Sequence, residues 1–239
     1  MTKIIVCGAA GRMGQAIIRL SQNETIPITE NENIESHISK GSAIIDFTTP
    51  EASMSFLKAA VDHKKPLVIG TTGFTDAQRK EIEAAAKKIP IVFSSNMSVG
   101  VNVMWKLIAD AAKALGSSYD IEVLEMHHRL KKDAPSGTAM TTAEVLAEAS
   151  GRTLSKDAVY SRQGMIGERK ANEIGIQTLR GGDVVGDHTV YFAGIGERLE
   201  ITHRASSRDT FAQGALRAAE WLIGKKPGLY NMQDVLGLK

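Results

Sequence analysis

The sequence predicts an α/β protein in two parts, a doubly wound parallel sheet followed by a second, α+β domain with a mixed sheet. Short apolar runs alternate with amphipathic helical stretches from the N-terminus to about residue 95. Past residue 99 that alternation stops, and strand-like runs follow one another between glycine turns. Where the first run meets the first helix stands Gly8-Ala9-Ala10-Gly11-Arg12-Met13-Gly14. Strands separated by helices run parallel through right-handed crossovers, whereas strands in direct succession pair in mixed or antiparallel sheets.

Residues 3–7 form a short apolar run closed by glycine, the pattern of a buried parallel strand. Residues 12–21 follow as a helix with Met13, Ala16, Ile17 and Leu20 on one face. Residues 25–29 make the second strand, which Pro27 confines to a sheet edge because it lacks an N–H. A strand at 43–47 and a helix at 51–62 come next. Strands at 67–69 and 91–93 flank a helix at 76–88, whose acidic first turn and basic last turn match the helix dipole. Residues 101–115 are a long amphipathic helix ending at Gly116, 120–126 a strand and 138–149 a helix. Runs at 174–179, 188–192 and 198–203 read as strands between turns such as Gly181-Gly182-Asp183 and Gly194-Ile195-Gly196. A last helix at 209–223 is stopped by Gly224 and Pro227. No internal repeat or low-complexity tract is present.

Composition narrows the class of partner. Hydrophobic residues at 43% and charged residues at 23% are the balance of a chain that buries a core. A net charge of +2 offers no broad basic surface for nucleic acid or membrane, and no apolar stretch approaches membrane-spanning length. The single cysteine, Cys7, excludes an intramolecular disulfide and ends an apolar run, so it reads as a core residue rather than a reactive thiol. The first strand begins with no signal peptide before it. The expectation is a soluble, cytoplasmic protein with no nucleic-acid or membrane partner.

Gly8, Gly11 and Gly14 fall in the pattern G-x-x-G-x-x-G, a spaced variant of the Rossmann-type fingerprint. Glycines allow a tight turn and close backbone approach, and helix N–H groups then face a pyrophosphate. Alone, they could simply form a strand-to-helix turn. Gly70-Thr71-Thr72-Gly73 and Ser94-Ser95-Asn96-Met97 fall at the same edge, where such sheets bind ligands. Both can contact ribose and nicotinamide, or serve as ordinary turns. Glu30 or Glu32, near the end of the second strand, could hydrogen-bond the adenosine ribose or be a solvated charge. No arginine or lysine follows at once to hold a 2′-phosphate, but Arg12 could, so NADH and NADPH both stay open.

The densest chemistry lies in Glu125-Met126-His127-His128-Arg129-Leu130-Lys131-Lys132-Asp133-Ala134-Pro135-Ser136-Gly137-Thr138. Successive strand residues point to opposite faces, so His127 and His128 serve one site only if the strand has ended before them. A histidine can shuttle a proton near neutral pH, and Lys131 can donate one or neutralise developing negative charge. Ser136 or a neighbour reads as an N-cap, with the N–H groups around Gly137 and Thr138 open to a carboxylate. Together these suit a small substrate with several negative charges. A solvated basic loop is the bland alternative. Glu125, His127, His128 and Asp133 could bind a metal, but no second ligand cluster with a recognisable spacing exists, and no metal is expected.

These segments, with Ile45-Asp46-Phe47-Thr48, Asn96-Met97-Ser98-Val99-Gly100-Val101-Asn102 and His203-Arg204-Ala205-Ser206-Ser207-Arg208, resemble the 4-hydroxy-tetrahydrodipicolinate reductase (dihydrodipicolinate reductase) family over nearly the whole chain. The resemblance implies an NADH- or NADPH-dependent oxidoreductase of the diaminopimelate route to lysine. Hydride would pass to C4 of a cyclic imino dicarboxylate, its hydroxyl leaving as water, and a proton would meet the electron density released toward C3. It implies His127 as proton donor or acceptor, Lys131 as proton donor, and His128, Gly137 and Thr138 as substrate ligands. Gly8, Ala9, Ala10, Gly11, Arg12, Met13, Gly70, Thr71, Thr72, Ser94, Ser95, Asn96 and Met97 would bind the cofactor. It further implies a dinucleotide-binding domain at 1–98, a substrate-binding and oligomerisation domain at 99–208, and a segment at 209–239 whose helix returns to the first domain, in a homotetramer built through the second sheet. Leu130 stands where many family members have histidine, and residues 22–40 are short and atypical. Two other readings remain: a dehydrogenase of another small amino or hydroxy acid, and a non-enzymatic dinucleotide sensor.

Overall fold

The structure, a computed structural model, describes residues 2–239. In chain order it runs β1 (Lys3–Cys7), α1 (Arg12–Leu20), β2 (Glu24–Ile28), β3 (Ala43–Asp46), α2 (Pro50–Asp62), β4 (Leu67–Ile69), α3 (Asp76–Ala86) and β5 (Pro90–Phe93). Then come α4 (Val99–Leu115), β6 (Asp120–His127), α5 (Gly137–Ser150), α6 (Leu154–Asp157), β7 (Ala158–Val159), β8 (Ile174–Arg180), β9 (Gly186–Ala193) and β10 (Arg198–Ala205). The chain closes with α7 (Asp209–Leu222), β11 (Gly228–Tyr230) and α8 (Met232–Leu236). It divides into two compact units. One holds the residues up to Val99 together with Arg208–Lys239, the other Gly100–Ser207.

The first unit is built on a six-stranded sheet in the order β11-β5-β4-β3-β1-β2, parallel throughout. Alternate residues of each strand enter different cores. Ile4, Val6, Ile45, Val68 and Val92 pack with α1, α7 and α8, while Ile5, Cys7, Ile44, Leu67, Ile69 and Ile91 pack with α2 and α3. Burial on both faces explains why these strands are continuously apolar instead of alternating. Pro27 sits in the edge strand β2, where a missing N–H costs no ladder bond. Cys7 is a core residue here.

The second unit carries a five-stranded mixed sheet in the order β10-β9-β6-β8-β7. β6 runs antiparallel to β9 and parallel to β8. One face, with Ile121, Val123, Ile174, Ile176, Val190 and Phe192, packs on α4 and α5. The indole N–H of Trp105 in α4 donates to the Thr142 hydroxyl in α5 at 3.0 Å. On the other face, Glu122 receives both Nη groups of Arg162, each at 2.8 Å, and Nε of Arg169 at 3.1 Å. No helix among the described residues is long and apolar enough to cross a membrane.

The structure departs from the sequence expectation at short elements and at one strand end. α6, β7, β11 and α8 are too short to announce themselves by periodicity. β6 does not stop before His127. Its carbonyl accepts the Gly181 N–H at 3.0 Å, and the residue pairs with Arg180 of β8. His127 is therefore the last residue of the strand and faces inward, and His128 is the first residue past it.

Candidate active site

At the carboxyl edge of the first sheet, β1 hands the chain to α1 through a glycine turn. Gly8 adopts φ +79°, and its carbonyl accepts the Gly11 N–H at 2.9 Å. A Cβ at Gly14 would lie 2.2 Å from that same carbonyl oxygen, so helix and turn can meet only without a side chain. Gly11 is the N-cap and offers no side-chain oxygen. The N–H groups of the first turn thus have no side-chain cap, the condition under which a helix end takes an anionic ligand. Ala9 is buried, whereas Ala10 and Arg12 are exposed. Met13, Gly70, Ser94, Ser95, Asn96 and Met97 line one cavity of about 240 Å³ together with Phe47 and Phe211. The turn, the helix end and this cavity fit a dinucleotide.

Asp46, at the end of β3, ties these loops together. Its carboxyl accepts from the hydroxyls of Ser53, Thr48 (2.5 Å) and Thr71 (3.3 Å). Burial raises its pKa, and these hydroxyl donors, Ser53 foremost, oppose the rise. The Thr71 hydroxyl also accepts the Thr48 N–H at 2.9 Å, so this side chain serves the loop itself. Thr72 is exposed. Past β2, the Glu32 carboxylate accepts the N–H and hydroxyl of Thr29, both at 2.8 Å, which lowers its pKa. Glu30 is exposed two residues beyond the strand.

In the second unit the inward face of β6 reads Ile121, Val123, Glu125, His127. Its apolar alternation ends in a carboxylate and an imidazole. Glu125 is fully buried. Its Oε2 lies 2.5 Å from His127 Nδ1 and 2.9 Å from Arg180 Nη1. Its Oε1 accepts from Arg180 Nη2 at 3.0 Å and from the Ser136 N–H and Thr178 hydroxyl at 3.1 Å each. Burial alone would raise the Glu125 pKa. The hydrogen bonds from His127, Arg180 and Ser136 outweigh it and bring the value down to about 2. His188, opposite Glu125 in the register, packs edge-on to His127 with ring centroids 5.2 Å apart. Burial, and then the neighbouring His127, bring its pKa down to about 3.

The segment leaving β6 is drawn into the same cluster. The Lys131 N–H donates to the His128 carbonyl at 3.1 Å, closing a turn, and its ammonium meets Asp133 at 2.9 Å. Arg180 Nη2 also donates to the Asp133 carbonyl at 2.7 Å. Ser136 is the N-cap of α5, its hydroxyl accepting the Ala139 N–H at 3.2 Å. Gly137 follows exposed, with open space where a Cβ would stand, and Thr138 is half-buried. Leu130 is exposed. His127, His128, Lys131, Gly137 and Thr138 thus gather around one strand-to-helix connection, while the cofactor candidates gather at the edge of the first sheet. Sequence reasoning missed Glu125 as the partner of His127, and missed Arg180 and His188 altogether. The available signal was an acidic residue at an inward position of an apolar alternation.

Comparison with known proteins identifies the family. A family model described as dihydrodipicolinate reductase, N-terminus, matches residues 2–97, and one described as dihydrodipicolinate reductase, C-terminus, matches residues 100–236. The 4-hydroxy-tetrahydrodipicolinate reductase of Geobacter sulfurreducens is 48% identical over 266 residues, with 100% of both chains covered. That of Syntrophus aciditrophicus is 49% identical over 267 residues, again with 100% of both covered. These alignments are longer than the 239 residues of this chain, so the relatives carry residues that it lacks. A solved dipicolinate-bound dihydrodipicolinate reductase from Paenisporosarcina sp. has the same fold, with a TM-score of 0.76 over 98% of each chain at 24% identity. The chain belongs to the dihydrodipicolinate reductase family, oxidoreductases of lysine and diaminopimelate biosynthesis.

Proposed function

We propose that this chain reduces 4-hydroxy-tetrahydrodipicolinate, using a reduced nicotinamide dinucleotide at the edge of the first sheet and binding the dicarboxylate at the β6–α5 connection. The observation that carries the reading is His127, backed by a buried carboxylate and followed by Lys131 and then by the start of α5 at Gly137. Residues 8–13, 70–72 and 94–97 would hold the coenzyme, which would supply hydride for C4 of the substrate ring. His128 and the N–H groups of Gly137 and Thr138 bind the substrate carboxylates. Lys131 gives the proton with which the hydroxyl leaves as water, and His127 Nε2 takes the proton from the ring carbon beside C4 in that elimination and returns it once hydride has reached C4.

Glu30 and Glu32 follow β2 with no arginine or lysine beside them in the sequence, and a carboxylate there hydrogen-bonds a ribose diol and repels a 2′-phosphate. That supports NADH as the preferred coenzyme, with Glu30 as the ribose ligand because Glu32 is folded onto Thr29. Kinship to the reductases supports a homotetramer through the second sheet. The lone, buried Cys7 suits a reducing cytoplasm. Initial rates with NADH and NADPH side by side, on the condensation product of pyruvate and aspartate semialdehyde, test the reading. Coenzyme oxidation is expected, faster with NADH. No oxidation with either would sink it.

A further inference from the structure

We infer that Glu125 is a positioning residue for proton transfer: ionised behind His127 and paired with Arg180, it keeps hydrogen on Nδ1 and leaves Nε2 as the working nitrogen. The inference rests on the role proposed above for His127 and deepens it. Glu125 occupies an inward position in line with Ile121 and Val123, where an apolar side chain would pack. A carboxylate persists in such a place only when donors fill its lone pairs. Arg180 supplies a donor to each oxygen, and Ser136 and Thr178 complete Oε1. The remaining place on Oε2 belongs to His127 Nδ1. An ionised carboxylate only accepts, so the nitrogen facing it carries the hydrogen.

The other side of the ring is shaped to match. A Cβ at Gly186 would stand 3.0 Å from Nε2, so the bare position in β9 leaves that nitrogen its space. Arg180 also holds the carbonyls of Asp133 and Leu179, at 2.7 and 2.6 Å, so the cation that keeps Glu125 ionised also fixes the loop carrying Lys131. Nε2 takes a proton from the ring carbon beside C4 as the hydroxyl leaves and returns it once hydride has reached C4; through both steps Nδ1–H stays in place and Glu125 keeps its charge. The charged and titratable groups that act on the Glu125–His127–His188 cluster include Arg180 on β8, His203 on β10 and Lys131 on the loop.

The test is NMR of the full-length protein labelled with 15N-histidine, through a pH titration, with steady-state rates on the same samples. Neutral His127 is expected to carry its hydrogen on Nδ1. Glu125→Gln, whose amide can donate to Nδ1, should move it to Nε2 and lower kcat about a hundredfold, with KM for the dicarboxylate within about threefold of its original value. The pH–rate limb assigned to His127 should shift with it. Glu125→Asp should keep the Nδ1–H form and recover part of the rate. Because Glu125→Gln leaves the half-buried Arg180 without its counter-ion, the double variant Glu125→Gln/Arg180→Gln is the control for folding and should show the same tautomer change. An Nε2–H form in the unaltered protein overturns the inference, as does Glu125→Gln turnover at the original rate with an unchanged pH profile. If the unaltered protein fails to turn over the imino dicarboxylate, the reductase reading falls, and the tautomer measurement still decides the Glu125 contact.

Discussion

Glu125 and His188 face each other across adjacent strands, and both resist protonation in the folded protein for different reasons. Glu125 is held near 2, against an ordinary value of 4.5, by His127, Arg180 and Ser136 working against burial. His188 is held near 3, against 6.5, mainly because burial penalises the cation. In each case the unfolded chain binds a proton at pH values where the native protein does not, so stability falls as pH falls. His188 acts first, over pH 6.5 to 3, and Glu125 over 4.5 to 2. The Glu125 contribution alone is on the order of 3 kcal/mol at about 1.4 kcal/mol per pKa unit. Urea unfolding measured from pH 7 to 3 should show a steady loss of stability, and His188→Gln should flatten the part above pH 4.5; an unaltered slope there would refute the assignment. The proton-transfer roles proposed for the neighbouring His127 and Lys131 give a kinetic prediction. His127→Gln and Lys131→Ala should each lower kcat by about 10²-fold or more. NADH affinity, followed by fluorescence titration, should hold, because the coenzyme candidates lie in the other unit. Near-normal turnover in both variants would defeat the role assignment.

At the scale of elements, legibility follows the range of the interactions. The six parallel strands have cores on both faces, so five of them show in the sequence as apolar runs between helices. β11 does not show, because three residues after Gly224 and Pro227 carry no period, and it forms only by adding to the β5 edge. Likewise α6 and β7 are too short for a pattern, and β7 exists through its pairing with β8. The β6–α5 connection is legible because His127, His128, Lys131, Ser136, Gly137 and Thr138 are neighbours in the chain. Arg180, which completes the Glu125 site, comes from 55 residues away, and nothing local marks it. The alternation of β6 does place Glu125 inward, but inward placement of an acid does not name its counter-ion. The end of β6 escapes local reading for the same reason, since the bond that extends the strand through His127 comes from Gly181. The loop at 94–97 shows long-range control again. α7 presses on it through Gly214, where a Cβ would lie 1.7 Å from the Met97 carbonyl oxygen.

For the molecule as a whole, the discontinuous first unit makes the coenzyme site depend on the end of the chain. Ala212, Ala215, Leu216, Ala218, Ala219 and Leu222 of α7, with Met232 and Val235 of α8, supply much of the core that covers one face of the parallel sheet. Without them Ile45, Val68 and Val92 would lose the cover that α7 gives β3, β4 and β5, at roughly 1.5–3 kcal/mol for each large side chain exposed, against a typical total stability of about 5–15 kcal/mol. The Arg19–Asp209 pair at 2.6 Å adds little, since both partners reach solvent. The second unit is continuous from Gly100 to Ser207 and has its own core around Trp105, Ile108, Val123, Leu146, Val190 and Phe192. Truncation after Ser207 should therefore act on one unit and spare the other. Hydrogen exchange should show β1, β3 and β4 unprotected in the shortened protein, while β6, β8 and β9 keep their protection and NADH binding disappears. The second sheet serves as the internal control, because general misfolding would strip protection from both. If the shortened protein bound NADH with its original affinity, the parallel sheet would have to hold its shape with only α1 on that face, and α7 and α8 would not be the cover on which the coenzyme site depends.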